Sequence, residues 1–512
     1  MKTTHAIKAG IPERRPPPSH KGYLKPAGTI RSRVTYNITA NSFGYLVRLA
    51  NRLILPPLFL RAWGATIYGE WLFIASCTAL LQLSDLGTRY FVMNRLTFLL
   101  SAGKRKKFVE LLNTGLLLNL LLSVGVSIVL FVGLYELGPN AIFRSPQLQG
   151  APGYYLCVTF ALWQIGQGLQ TFFVGVYRAL GLGHRGTLFA NSSEVLAILG
   201  MTILLLAKGN INQVSFVQAI SVVGVTLYCA LDLEKNLGGV RLISPANWKK
   251  GRAFFWILLS FQHFMYQAAQ LLYVYAPIIL VGWVFDSASI ALFGTLRTLG
   301  NAVTSLLGAA SVATGDEFAR LWAIRNQRGL VHLTILTDRG VVLSSLLVTA
   351  LLHLAGKFIH HYWLGGKVEF NQPAFDLLLI NVFLNSYGNL YRQFLSSINK
   401  VQWIAAWSLL SIFVGLIASY FLGKRFGMVG VFSAWLGVEF LFQSWFAPYL
   451  LSRLIPNFPV QRMALEATAM TLVIGLAFFY TRFLYLLFSA GILFYVRSLM
   501  RNQSSSVRVS LK

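Results

Sequence analysis

Apolar runs of about 18 to 25 residues follow one another along almost the whole chain. They fall at 38–60, 67–92, 108–135, 153–177, 187–207, 214–232, 253–281, 288–313, 331–355, 374–395, 402–422, 428–451, 463–480 and 483–499. At 1.5 Å of rise per residue, a helix over each run can cross ~30 Å of hydrocarbon. The pattern predicts an all-α polytopic membrane protein of fourteen spans. Twelve is the alternative, because only a few residues separate the last two runs.

The polar intervals divide the chain. Residues 1–36 are basic and proline-rich and lack the apolar core of a cleavable signal, so they read as a disordered cytoplasmic tail and span one as an uncleaved anchor. Residues 37–233 form an N-terminal lobe of spans one to six, and 234–252 a basic cytoplasmic linker. Residues 253–452 form a C-terminal lobe of spans seven to twelve, 453–500 two further spans, and 501–512 a cytoplasmic tail. A weak repeat relates the lobes: Pro57 precedes Trp63 at the end of span one, and Pro277 precedes Trp283 at the end of span seven. The segments YGEWLF and IALFGTL then open the next spans. Parallel repeats of this kind are common among transporters.

Composition strengthens the membrane reading. Charged residues are only 12% and hydrophobic ones 55%, whereas a soluble chain carries roughly a quarter charged. The net charge of +28 would suggest nucleic acid in a soluble protein. Here the bases sit in short clusters between apolar runs, as cytoplasmic anchoring requires, and nucleic acid is set aside as a partner. Clusters at Lys104-Arg105-Lys106-Lys107, from Lys235 to Arg252, at Arg320, Arg325 and Arg328, and from Arg497 to Lys512 all fall on the side of the N-terminus. That places both termini in the cytoplasm. The longest outer loops, 137–152 and 357–373, leave no room for a folded catalytic domain. Cys77, Cys157 and Cys229 each lie in an apolar run, which suits packed or lipid-facing thiols.

No Walker A sequence, nucleophile elbow or HExxH motif is present, so neither an enzyme, a metal site nor a resident cofactor is expected. His360 and His361 read as solvated outer-loop residues, and Asp316-Glu317 as a solvated pair at a helix end. The informative residues are charges inside spans, where an ion costs several kcal/mol unless it faces a cavity or a partner. Arg52 lies ~20 Å from the inner end of span one and Arg48 one turn shallower on the same face; Arg297 lies ~14 Å into span eight. These three are candidates for an anion-binding cavity, with inward snorkelling or pairing to an acid such as Glu194 as the alternative. Glu439 and His263 are each ~15 Å into a span and are candidates for ion coupling to Na⁺ or H⁺; hydrogen-bonded packing is the alternative for His263. Asp85 and Arg89 lie ~27 Å or more into span two. They read as a cytoplasmic gate, or as a capping or snorkelling pair at the inner interface. Gln262, Gln267 and Gln270 suggest a hydrated stripe on span seven, or hydrogen bonding between helices.

The stretch RLANRLILPPLFLRAWGATIYGEWLFIASCTALLQLSDLGTRYFVMNRL resembles the first two spans of polysaccharide-biosynthesis flippases of the multidrug/oligosaccharidyl-lipid/polysaccharide exporter superfamily. The resemblance is carried by Pro56-Pro57, Gly64, Tyr68-Gly69 and Asp85-Leu86-Gly87, and by ALFGTLRTLGNAVTSL around Arg297. It covers about residues 37–450; the long basic tail departs from it. It implies a Wzx-type O-antigen or polysaccharide repeat-unit flippase of the bacterial inner membrane, working with polysaccharide polymerase and assembly proteins. Such a protein moves a polyprenyl-diphosphate-linked oligosaccharide from the cytoplasmic to the periplasmic leaflet by alternating access. Arginine suits a diphosphate because its guanidinium forms a rigid bidentate fork. A lipid II flippase and a cation-coupled multidrug exporter of the same superfamily remain alternatives, and a membrane glycan polymerase or ligase is a more distant one.

Overall fold

The computed structural model describes residues 30–138, 143, 146–238, 240–243, 250–398, 400, 402–455, 458 and 460–479. Among these residues there is no strand, and the helices in chain order are α1 (Ile30–Ala79), α2 (Thr88–Ser101), α3 (Arg105–Leu137), α4 (Ala151–Ala179), α5 (Gly183–Leu206), α6 (Ile211–Asn236), α7 (Lys250–Val284), α8 (Ser287–Ala323), α9 (Gln327–Leu364), α10 (Gln372–Ser397), α11 (Gln402–Val438), α12 (Ser444–Leu454) and α13 (Val460–Phe479). Seven continuous helical stretches are long and apolar enough to cross a membrane, the longest being Thr39–Asp85 and Gln402–Leu454. On α3 the side chains of Leu121, Ile128, Val129 and Val132 are exposed, an outer face that only lipid suits. The chain is an all-α, multi-pass membrane protein.

The two longest stretches are folded hairpins. In α1, Gly64 has φ 77°, a conformation open mainly to glycine. The rings of Phe59 and Trp71 lie 5.1 Å apart across it, where a straight helix would separate them by about 18 Å. In α11, Gly427 has φ 63°. A Cβ on Gly415 would stand 3.2 Å from Val438, against about 34 Å in a straight helix. Each hairpin supplies two helical arms. With the arms counted separately, helices cover thirteen of the fourteen apolar runs among the described residues; the run at 483–499 lies outside them, as do residues 1–29 and the C-terminal tail.

Burial divides the molecule in two. One large core gathers α7 to α13, including Phe293, Phe318, Phe383, Tyr391 and Ile412. The first half holds two smaller cores, one around Phe59, Trp71 and Phe160, the other around Phe108, Phe172 and Tyr177. The halves meet where α1 and α2 lie against α7 and α8. At that seam a Cβ on Gly69 would fall 1.7 Å from the Ser287 carbonyl oxygen, so glycine alone allows the approach. Trp363 on α9 donates to the Leu53 carbonyl at 2.6 Å, a second tie between the halves.

Two features depart from the sequence pattern. Span two is not one helix: a 3-10 turn at Leu80–Asp85 leads through Leu86 (φ 49°) and Gly87 (φ 74°) into α2. A Cβ on Gly87 would stand 2.5 Å from the Phe264 nitrogen and 2.8 Å from the Ser260 carbonyl oxygen, so the break lets α7 pass close. Secondly, α9 runs on to Leu364 instead of ending near 355. His360 is therefore fully buried, 3.3 Å from the Thr295 hydroxyl, and is not a solvated loop residue; the helix continues because Trp363 and Leu364 have a core to enter.

Candidate functional site

Arg48 and Arg52 project from the first arm of α1, both exposed, and Arg48 lies over the Tyr45 ring at 4.8 Å. The electrostatic neighbours of Arg52 are Arg48, Tyr275 on α7 and Glu194 on α5. Glu194 accepts a hydrogen bond from Asn51 at 3.3 Å, which turns its carboxylate toward the face that carries both arginines. From the other half, Arg297 on α8 donates to the Val274 carbonyl at 2.7 Å and lies 5.4 Å over Phe293. Its neighbours are Tyr273 and Tyr275. Arg52 and Arg297, from opposite halves, thus share Tyr275 as an electrostatic neighbour. Two like charges brought to one ring are stabilised by an anion that lies between them.

Arg297 also lines a small cavity with Tyr273, Asn381, Phe432 and Trp435. Across Tyr273 lies a second, polar cavity of about 70 Å³ lined by Gln270, Asn385, Asn389, Arg392, Ser408 and Gln443, among others. Beside it Glu439 is 1% exposed. Its Oε2 accepts from Asn385 at 3.2 Å and from the Tyr273 hydroxyl at 3.4 Å, and its Oε1 from Ser444 at 3.3 Å. Arg392 Nη1 stands 3.7 Å from Glu439 Oε1, too far for a hydrogen bond. Glu439 opens a π-bulge, Glu439–Gln443, which widens the helix where α10 crosses it. A Cβ on Gly388 would stand 3.1 Å from the Ser444 Cα, so a small residue on α10 allows that crossing.

Asp85 and Arg89 are placed together and buried. Asp85 is 0% and Arg89 4% exposed, with Nη2 2.8 Å from Oδ2. The other carboxylate oxygen accepts the Gly87 N–H at 2.9 Å, so Asp85 does cap the turn. Both side chains are buried, and α2 continues beyond them to Ser101. His263 belongs to α7, but its side chain lies outside the described residues, as does that of Gln262. Gln267 donates to the Gln82 carbonyl at 3.1 Å, a bond between the halves, whereas Gln270 lines the polar cavity. Among the described residues no group of three His, Cys, Asp or Glu could hold a metal ion.

Sequence reasoning passed over Tyr275 and Arg392. Tyr275 carries no charge to mark it. Arg392 lies inside the run 374–395, where an ion is as costly as Glu439; a charge within an apolar run was the signal that could have found it.

No family model matches the sequence, and no curated protein matches it. Solved structures do match in shape. A lipid II flippase, MurJ, in an inward closed conformation shares 13% identity, with a TM-score of 0.65 over 92% of this chain and 99% of its own. An inward-facing multidrug resistance MATE family transporter of the MOP superfamily shares 14% identity, with a TM-score of 0.62 over 85% and 98%. A MOP superfamily transporter from Pyrococcus furiosus, described as having a binding pocket of reverse polarity, shares 13% identity, with a TM-score of 0.52 over 89% and 99%. The order of the helices and their packing in two halves accordingly form the fold of the MATE and MurJ transporters.

Proposed function

We propose that the chain is a flippase for a polyprenyl-diphosphate-linked oligosaccharide, moving it from the cytoplasmic to the periplasmic leaflet of a bacterial inner membrane. The observation that carries this reading is the placement of two arginines from opposite halves beside α7: Arg52 on α1, which packs against α7, and Arg297 on α8, which donates to the Val274 carbonyl, with Tyr275 an electrostatic neighbour of both. A diphosphate carries about two negative charges, and each arginine offers a planar fork to it. Held between the halves, the head group would be released as they rock, with Arg48 receiving it first. A cation-coupled drug exporter shares the fold, but its cationic substrates would be repelled by these guanidiniums. Lipid II also carries a diphosphate, so the arginines alone do not select between it and another lipid-linked glycan. Glu439 and His263 are our candidates for coupling to H⁺ or Na⁺, Asp85 and Arg89 for the cytoplasmic gate, and polysaccharide polymerase and assembly proteins for partners.

The test is transport of a polyprenyl-diphosphate oligosaccharide by reconstituted protein. Arg52→Ala and Arg297→Ala should each weaken binding by about 10- to 100-fold at unchanged abundance. Normal transport by both variants would end the cationic-site mechanism, and failure of both to accumulate would make them structural ion-pair residues. Deleting the gene and identifying the lipid-linked glycan that accumulates would name the substrate. For orientation, single cysteines at 140–148 and 362–368 should react with an impermeant thiol reagent from outside, and those at 104–107 and 320–328 should not.

A further inference from the structure

The polar cavity beside Glu439 is unused by the mechanism above. Its guanidinium is loosely held: Arg392 reaches the Gln443 and Asn385 carbonyls only at 3.4 Å each and Glu439 at 3.7 Å. Its Nε makes no hydrogen bond among the described residues, and neither do the side-chain amides of Gln270 and Asn389, which line the same cavity. A charged fork and two amides therefore face a common space with donors to spare. Glu439 has partners besides the arginine: Tyr273, Asn385 and Ser444 reach its two oxygens at 3.2 to 3.4 Å. At 3.7 Å the ion pair is loose and leaves the carboxylate polar partners when it opens, whereas a tight bidentate pair would be harder to part.

We infer that Arg392, with Asn389 and Gln270, forms a second oxyanion subsite, filled when an incoming anion displaces Glu439 from the guanidinium. The volume of about 70 Å³ suits one phosphate or carboxylate group and not a whole sugar chain. Tyr273 is an electrostatic neighbour of both Arg392 and Arg297, so the subsite adjoins the arginine site across one ring. Two sources present this chemistry: the diphosphate of the carrier, or the carboxylate of an acidic sugar attached to it. The inference rests on the flippase reading, and it adds a residue on α10 that selects among anionic substrates.

The experiment uses the full-length protein purified in detergent, with inorganic pyrophosphate, farnesyl diphosphate and glucuronate as probes in equilibrium binding. Arg392→Gln should weaken one class of probe about 10-fold or more; loss with the two diphosphates assigns the subsite to the carrier, and loss with glucuronate assigns it to the sugar. Glu439→Gln should strengthen the same probe, since the internal competitor has lost its charge. The double variant should bind like Arg392→Gln alone. If Arg392→Gln is not recovered folded, Asn389→Ala with Gln270→Ala gives the same readout without touching a charge. Unchanged binding of all probes by the arginine variant, or weaker binding by Glu439→Gln, overturns the subsite. Should Arg52→Ala and Arg297→Ala lose diphosphate while Arg392→Gln keeps every probe, the subsite fails and the flippase reading stands. Should none of the three lose any probe, that reading fails with it.

Discussion

Two buried ion pairs, one in each half of the molecule, differ in what surrounds them. Asp85 and Arg89 belong to one stretch of chain, 2.8 Å apart and almost without exposure, and Asp85 also closes the turn at Gly87. Arg392 and Glu439 come from different helices, 3.7 Å apart, and the arginine keeps 13% of its surface beside a cavity. The first pair closes a turn within one stretch of chain, and its geometry fixes a break in span two. The second pair has neutral donors ready on the acid and spare donors on the base. Burial alone therefore does not distinguish a pair that closes a turn from one that borders a cavity; separation and surroundings do.

The comparison breaks most visibly at Asp85. Asp85→Asn leaves Arg89 charged and buried, a loss of about 3–5 kcal/mol, which thermal unfolding of the purified protein would register as a collapse of Tm or of yield. A variant as stable as the parent would make the first pair exchangeable too. Next in size is Arg297→Lys, which keeps the charge but loses the fork. Diphosphate affinity should fall roughly 10-fold with Tm near the parent value, and full affinity would mean that charge alone is read. Glu439→Gln comes third: three neutral donors remain, so the stability cost should stay near 1 kcal/mol. Weaker dependence of transport on the ion gradient is expected from the same variant; unchanged dependence would remove Glu439 from coupling. Smallest is the exposed pair at the end of α8, where Arg320 meets Glu317 at 2.6 Å with both side chains largely in solvent. The arginine holds the Glu317 carboxyl below its usual range, so whatever the pair contributes is present at neutral pH and fades as pH falls through that lowered value. Arg320→Ala should leave Tm unchanged at neutral pH, and a clear drop would mean that exposed pairs matter here.

The crossings were legible in the sequence because each apolar run is a local property, and Gly64 stands between two of them. What the pattern did not contain was the break at Leu86-Gly87 and the π-bulge at Glu439, since both answer a neighbour: α7 in the first case, α10 in the second. Helix ends were also understated. α8 extends to Ala323 and α9 begins at Gln327, so polar residues that cannot sit in lipid still continue a helix. Depth along a helix was enough to single out Arg52 and Arg297, since an ion far from either end has few means of reaching water. That they face one tyrosine required the packing of α1 and α8 around α7, and the link from Arg392 to Glu439 required the crossing of α10 over the bulge.

The hairpins at Gly64 and Gly427 also bear on how the chain is made. Each reverses direction at a single non-helical residue, so the far side of the membrane receives a bend and not a loop. With so little chain between the arms, the second must follow wherever the first goes. The two arms of such a pair should therefore leave the insertion machinery side by side, as one unit. A ribosome stalled between them would hold a segment that cannot yet settle in the membrane.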